Sequence, residues 1–313
     1  MPSPLSIIPP VDINLIKAEL TPDSFLRHSC KGGTDLYVTD AHKAPNVMRE
    51  IGRLREIAFR SAGGGTGKEC DIDQFDTMDP ACRQLIVWDP ETEQILGGYR
   101  FITGNNIKIM PDGTPRIATA HMFDFSDRFL NEYLPYTIEL GRSFVRLEYQ
   151  STKAGVKAIY VLDNLWDGLG ALTVVYPEIR YLFGKVTMYP EYSKEARNMI
   201  LYFLNKYFPD PDYLVRPKHP LVTDIDEKAM DELFCGNSFK DDYRILNHSV
   251  RLLGYNIPPL VNAYMGLSPT MRMFGTAIND EFGDVEESGI FFAISDIFDE
   301  KKNRHINSFR MDS

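Results

Sequence analysis

The chain has no apolar run of about 18 residues, so no membrane-spanning helix is expected. Its start, Met1-Pro2-Ser3-Pro4-Leu5, has neither the positive flank nor the apolar core of a signal peptide. Cysteine is sparse. Cys30, Cys70, Cys82 and Cys235 form no CxxC pair and have no histidine at zinc spacing, which argues against a structural zinc site and for free thiols in a reducing compartment. No Gly-x-Ser-x-Gly occurs, and the six histidines, His28, His42, His121, His219, His248 and His305, are scattered outside any nucleophile motif; serine-hydrolase chemistry is thereby disfavoured. Positive charge is short as well. Lys and Arg number 34 against 44 Asp and Glu, a net charge of −10, which opposes general nucleic-acid binding but leaves room for a local basic patch.

What is present suits a soluble globular protein. Hydrophobic residues make up 43% and aromatics 12% of 313 residues, enough for one large domain or two modest ones. Periodicity predicts a proline-rich arm over 1–12, a short helix within Val11–His28, a strand at Asp35–Thr39, and a helix capped by Asn46 and ending near Ser61. A hairpin follows, Gln84–Trp88 and Ile95–Thr103 around Asp89-Pro90-Glu91-Thr92. Next come a helix at Phe123–Tyr133, a strand at Thr137–Leu147, a long helix at Gly155–Val175, a strand at Arg180–Tyr189 and a helix at Ser193–Phe208. Prolines 209, 211, 217 and 220 mark a connection. Asp226–Phe234 and Asp241–Leu253 read as helices, Pro259–Leu267 and Gly289–Ile294 as strands. Strands and helices alternating after an antiparallel start indicate an α+β or α/β sheet.

Four charged signals stand out. Arg55 and Phe59 lie at i and i+4 on one helix face. Asp71-Ile72-Asp73-Gln74-Phe75-Asp76 offers carboxylates in a loop. They could hold a substrate amine or simply face water, and the run lacks EF-hand spacing and a nearby histidine. Arg100 ends the strand Gly97-Gly98-Tyr99-Arg100. Glu139-Leu140-Gly141-Arg142 sets a carboxylate and a guanidinium three apart in an otherwise apolar strand. Such side chains point to opposite faces unless a bulge intervenes, and Gly141 would permit one. A structural ion pair is the competing reading of Glu139 and Arg142. Gly63–Lys68 fails as a phosphate loop, because its first glycine would fall on Ala62 and Glu69 replaces the Ser or Thr.

The order Arg55-x-x-x-Phe59, Asp73-x-x-Asp76, Arg100, Glu139-x-x-Arg142 resembles that of the acyl-homoserine-lactone synthases. The longer runs Leu54–Arg60, Glu139–Val145, Leu165–Leu169 and Leu182–Val186 resemble more closely the hemolysin-like N-acyltransferases, which include ornithine- and glycine-acylating enzymes of bacterial aminolipid synthesis. The resemblance spans roughly residues 35–300. It implies a GNAT-like α+β fold, a mixed twisted sheet flanked by helices with strands 137–147 and 180–189 splayed to admit a pantetheine arm. By this reading residues 1–34 are an N-terminal arm, 35–210 the acyltransferase core, and 211–313 complete the sheet. The Gln/Arg-x-x-Gly-x-Gly/Ala loop of acetyl-CoA-dependent members is absent; the chain reads Tyr149-Gln150-Ser151-Thr152-Lys153-Ala154-Gly155. That favours the acyl-phosphopantetheine of acyl carrier protein over acyl-CoA as donor, with no bound cofactor and no metal.

The implied reaction moves a long-chain or 3-hydroxy fatty acyl group to the amine of an amino acid such as glycine or ornithine. Glu139 is the candidate base, with Arg142 beside it; burial raises a carboxylate's pKa and a guanidinium lowers it. Arg55, Phe59, Asp73, Asp76 and Arg100 would shape the acceptor side. Leu162 and Trp166 would line an acyl tunnel, although core packing explains each equally well. Arg146, Lys153 and Lys157 are candidate contacts for the acidic carrier. A cytoplasmic location, with peripheral contact at the inner membrane face left open, goes with this reading. The rivals are autoinducer synthesis and a non-catalytic acyl-carrier or lipid-binding module. A lytic protein would need an amphipathic or apolar insertion segment, which the sequence lacks.

Overall fold

A computed structural model describes residues 4–150 and 156–310, with side chains from 160 onward in the second stretch. Strands, numbered along the chain, are β1 Phe25–His28, β2 Asp35–Thr39, β3 Arg83–Asp89, β4 Gln94–Thr103, β5 Phe123–Phe125, β6 Thr137–Val145, β7 Tyr181–Met188, β8 Val215–Pro217, β9 Arg272–Asn279 and β10 Val285–Ala293. Helices are α1 Ile13–Glu19, α2 Pro45–Ser61, α3 Gln74–Thr77, α4 Val156–Val175, α5 Lys194–Tyr207, α6 Glu227–Leu233, α7 Phe239–Leu252 and α8 Pro259–Met265. The class is α+β. Two compact units interleave in sequence: Met1–Ala118 with Leu134–Arg180 and Asp299–Ser313, and Thr119–Tyr133 with Tyr181–Phe298. Strands β6 and β7, the pair expected to splay, fall into different units.

In the first unit β1-β2-β3-β4-β6 form an antiparallel sheet. β3 is apolar from Leu85 to Trp88 and buried on both faces. Gln84 bonds to Arg55 of α2, whereas Leu85, on the opposite face, packs so tightly on α4 that a Cβ at Gly168 would lie 2.6 Å from its side chain. The α4 face is built from Val161, Leu165, Leu169 and Leu172, all buried, at the spacing of one helical stripe. The N-terminal arm is bound to the glycine loop, Leu5 N to Gly67 O at 2.9 Å and Ile8 N to Glu69 O at 3.1 Å.

The second unit carries β7-β10-β9, antiparallel throughout, and a small β5–β8 ribbon. Phe129, Phe183, Phe274 and Phe291 pack ring against ring. Beside this apolar core lies a buried polar set, in which Lys185 pairs with Glu287 while Thr187 and Asn279 donate to the same carboxylate at 3.0 and 2.8 Å.

Several expectations are corrected. Asn46 does not cap α2. The helix starts at Pro45, and its free N–H groups are met by Glu19, whose carboxylate accepts from Asn46 N at 3.1 Å and Val47 N at 2.8 Å. Val11–His28 does hold the expected short helix, α1, but its end forms β1. Phe123–Tyr133 is a strand followed by a helical turn at Phe129–Tyr133, because Phe123–Phe125 pairs with Val215–Pro217, far along the chain and inside the expected connection. Pro259–Leu267 is helical, with Pro259 at the first helical position, where its fixed φ favours a helix. Strand β9 was not foreseen.

Candidate active site

Of the site residues named from the sequence, Arg55, Asp73, Asp76, Arg100 and Arg142 converge within the first unit. Arg55 projects from α2 and Arg100 from β4, both on the face opposite Leu85. Asp73 caps α3 and Asp76 closes its first turn. Asp73 accepts from Phe75 N at 2.8 Å and Asp76 N at 3.2 Å, while Asp76 accepts from Asp73 N at 3.1 Å, a reciprocal capping box. The acidic run is therefore a capped helical turn, with Asp71 and Asp76 buried and Asp73 half-buried.

Asp76 is the hub. It accepts from Arg55 Nη1 at 3.2 Å, Gln84 Nε2 at 2.9 Å and Arg100 Nη1 at 3.3 Å. Arg100 Nη1 also donates to both oxygens of Asp73 at 2.7 Å, and its guanidinium lies over the Phe75 ring at 5.6 Å. Arg55 Nη2 donates to Gln84 Oε1 at 2.5 Å. Arg55 and Asp76 are 0% exposed, Arg100 and Glu139 1%. Ions so enclosed persist only when paired. Burial pushes Asp73 up, but Arg100, and then Arg142 and the Phe75 N–H, outweigh it and hold this carboxyl well below its usual range. Burial likewise opposes the charge on Arg100, and Asp76 with Asp73 outweigh it.

Glu139 sits on β6 opposite Ile102, two residues from the Arg100–Gly141 pair and on the same face. The ladder breaks between Gly98, opposite Phe144, and Arg100, opposite Gly141, so β6 has one extra residue, a bulge. The bend expected at Gly141 occurs, but the left-handed residue is Arg142, at φ +49°. A non-glycine there costs about 1–3 kcal/mol. Its guanidinium is held by Asp71 at 3.0 Å and Asp73 at 3.6 Å. Three guanidiniums (Arg55, Arg100, Arg142) thus meet three carboxylates (Asp71, Asp73, Asp76), and Glu139 supplies a further carboxylate beside this balanced lattice. The buried Cys82 thiol lies within the field of both: burial pushes its pKa well up, Arg100 opposes, and Glu139, Asp76 and Asp73 add to the rise.

Phe59 is buried on α2. Leu162 and Trp166 share a half-buried stripe of α4, turned from the stripe that packs on the sheet. Arg146 pairs with Glu148 at 3.2 Å. Lys153 and the Lys157 side chain lie outside the described residues. Reasoning from sequence gave Asp71 no partner and passed over Gln84; the signal for Gln84 was a lone polar residue in the apolar run Leu85–Trp88. Glu56 was missed as well. Fully buried, it accepts from Thr66 N at 3.1 Å, Thr66 Oγ1 at 2.7 Å and Gly67 N at 2.8 Å. A side-chain carboxylate therefore takes the N–H groups that a phosphate loop would offer its ligand.

Residues 54–159 match the acetyltransferase (GNAT) domain family. Two glycine N(alpha)-acyltransferases, from Phocaeicola vulgatus and Bacteroides thetaiotaomicron, are each 61% identical over 303 residues, 97% of this chain and 93% and 90% of theirs. Among solved structures, the acyl-homoserine-lactone synthase LasI aligns with 50% of this chain and 74% of its own at 16% identity and a TM-score of 0.33. The CoA-dependent acyl-homoserine-lactone synthase BjaI, bound to SAM and isopentyl-CoA, aligns over 87% of each chain at 10% identity and a TM-score of 0.36.

Proposed function

The chain belongs to the family of the glycine N(alpha)-acyltransferases, and from that premise we propose that it moves a long-chain fatty acyl group from the phosphopantetheine of acyl carrier protein to the amine of glycine, supplying aminolipid synthesis. What carries the reading is identity of 61% sustained over 97% of the chain, a span that includes every motif residue from Arg55 to Arg142.

The amine must be neutral to attack. Glu139 accepts its proton, directly or through one water, as the nitrogen adds to the thioester carbonyl. The tetrahedral intermediate then expels the carrier's thiolate, which takes the proton held by Glu139, leaving an amide, a thiol and the carboxylate restored. Enclosure of Glu139 on a strand supports this role, because a dry site strengthens every interaction with the developing charge. The Arg55–Asp76–Arg100–Asp73 lattice touches its own members far more than open space, so its task is to fix β4, α3 and β6 around Glu139. Arg142, at the bulge, locks the Asp71–Asp76 segment to β6. Leu162 and Trp166 line the acyl path, and Arg146, Lys153 and Lys157 meet the acidic carrier.

The test is incubation with acyl carrier protein loaded with dodecanoyl or 3-hydroxyhexadecanoyl chains, or the matching acyl-CoA, together with glycine, ornithine or S-adenosylmethionine, followed by mass spectrometry. N-acylglycine formed from the carrier-protein donor is expected. Acyl-homoserine lactone as the main product, or no amide from any donor, overturns the proposal.

A further inference from the structure

The first unit contains a cavity of about 600 Å³ that the proposed reaction does not use, between β1, the last turn of α4 and residues 308–310. Its volume is that of a small-molecule site. Three arginines line it, Arg27, Arg83 and Arg310. Several other arginines of this unit pair with acids: Arg53 has Glu50, Arg55 has Asp76, Arg60 has Glu56 and Arg304 has Asp163. The three at the cavity do not. Arg27 spends its donors on neutral groups, the His28 carbonyl at 3.0 Å, Ser308 Oγ at 3.3 Å and Cys30 Sγ at 3.1 Å. Arg83 donates to the Tyr176 hydroxyl. Among the described residues no carboxylate stands within ion-pair distance of any of the three. The one acid lining the cavity is Asp23, and nearby Asp35 is taken by His28 at 2.6 Å. In a chain of net charge −10, three uncompensated guanidiniums around one hollow call for an anion.

The remaining wall is apolar. Val38 and Leu172 are buried beneath it and Val175 continues it along α4. A small inorganic anion would leave that wall wet. We infer that this cavity binds a long-chain carboxylate, with the head group at Arg27 and Arg310 and the chain along Val38, Leu172 and Val175. Two molecules share this chemistry, a free fatty acid and the N-acylglycine product. The second source rests on the proposed function; the first does not. Occupancy by product would make the cavity a sensor apart from Glu139, on the α4 face of the sheet, where Tyr176 meets Phe101, whereas Glu139 lies on the opposite face of β6 from Leu140, the partner of Phe101.

Calorimetric titration of the full chain tests this, with laurate, N-lauroylglycine, the methyl ester of N-lauroylglycine and inorganic phosphate as probes. Both carboxylates are expected to bind, and the R27Q/R310Q double variant to weaken laurate at least tenfold while leaving the acylation rate at low product unchanged. Val175→Trp, which fills the hollow, should do the same from the apolar side. Binding of N-lauroylglycine that survives in the double variant belongs to the site around Glu139. Tighter N-lauroylglycine at the cavity identifies the product as ligand; equal or tighter laurate identifies the fatty acid. Laurate binding unchanged in both variants, an ester as tight as the acid, or phosphate as tight as laurate overturns the inference. The acylation assay is read separately, so a failure of the proposed reaction leaves the laurate result standing.

Discussion

Replacing Asp76 by asparagine keeps the size of the hub side chain and removes its charge. Four donors now converge on that carboxylate: Arg55 Nη1, Gln84 Nε2, Arg100 Nη1 and the Asp73 N–H. Asparagine can accept at one position only, and its NH₂ would face a guanidinium. Asp73 still neutralises Arg100, but fully buried Arg55 loses the one carboxylate with which it pairs among the described residues. Leaving such a charge uncompensated costs about 3–5 kcal/mol. At about 1.5 °C per kcal/mol for a protein of 313 residues, the melting temperature should fall by about 5–8 °C. Thermal unfolding followed by circular dichroism measures it. Adding Arg55→Met to Asp76→Asn should recover about half the loss, since the orphaned cation goes with it. Glu132→Gln, which breaks an exposed pair with Arg128, should leave the melting temperature unchanged. An Asp76→Asn protein melting within 2 °C of wild type, or no recovery in the double variant, would refute the claim that this lattice holds the site together.

Three further outcomes are expected. Because Asp73 is held below its usual range, its stabilising contribution is full above the unfolded-state value of about 4 and is lost as pH falls below it; Asp73→Asn should flatten stability against pH in that acid window, as acid titration of the melting temperature will show. A Cβ at Gly52 would lie 2.5 Å from Cys70 Sγ and 2.8 Å from Ile72 Cγ1, so Gly52→Ala should push the Asp71–Asp76 segment off α2, costing about 1–3 kcal/mol in denaturant unfolding and slowing acylation. Exposed Cys30 and Cys235 should react first with a thiol reagent near neutral pH, with Cys70, pushed up to about 11 by burial and Asp71, and buried Cys82 following only on unfolding; four equal rates in the native protein would contradict the packing.

Local pattern carried much of the fold. Asp35–Thr39 was read to the residue, and Ser193 was correctly identified as the cap of α5. Errors arose where distant groups decide local structure. Glu19 caps α2 across 27 residues of chain, and β8 turns Phe123–Phe125 into a strand; neither partner leaves a local trace. At the site, the order of Arg55, Asp73, Asp76, Arg100, Glu139 and Arg142 was legible, and β4–β6 pairing, which sets Arg100 opposite Gly141, brings the last three together. Their mutual neutralisation was not. Spacing shows which charges exist, and only tertiary contacts show which are already paired. For the same reason Gly141 drew attention while Arg142 bears the strained backbone.

The central claim is that the carboxylate of Glu139 takes the proton from the attacking amine. Single-turnover acylation of glycine by dodecanoyl carrier protein, compared between wild type and Glu139→Gln, tests it most directly. The rate should fall by about 10²–10⁴-fold, with the melting temperature and the affinity for loaded carrier unchanged. A Glu139→Gln enzyme that folds normally and turns over at the wild-type rate would contradict the account.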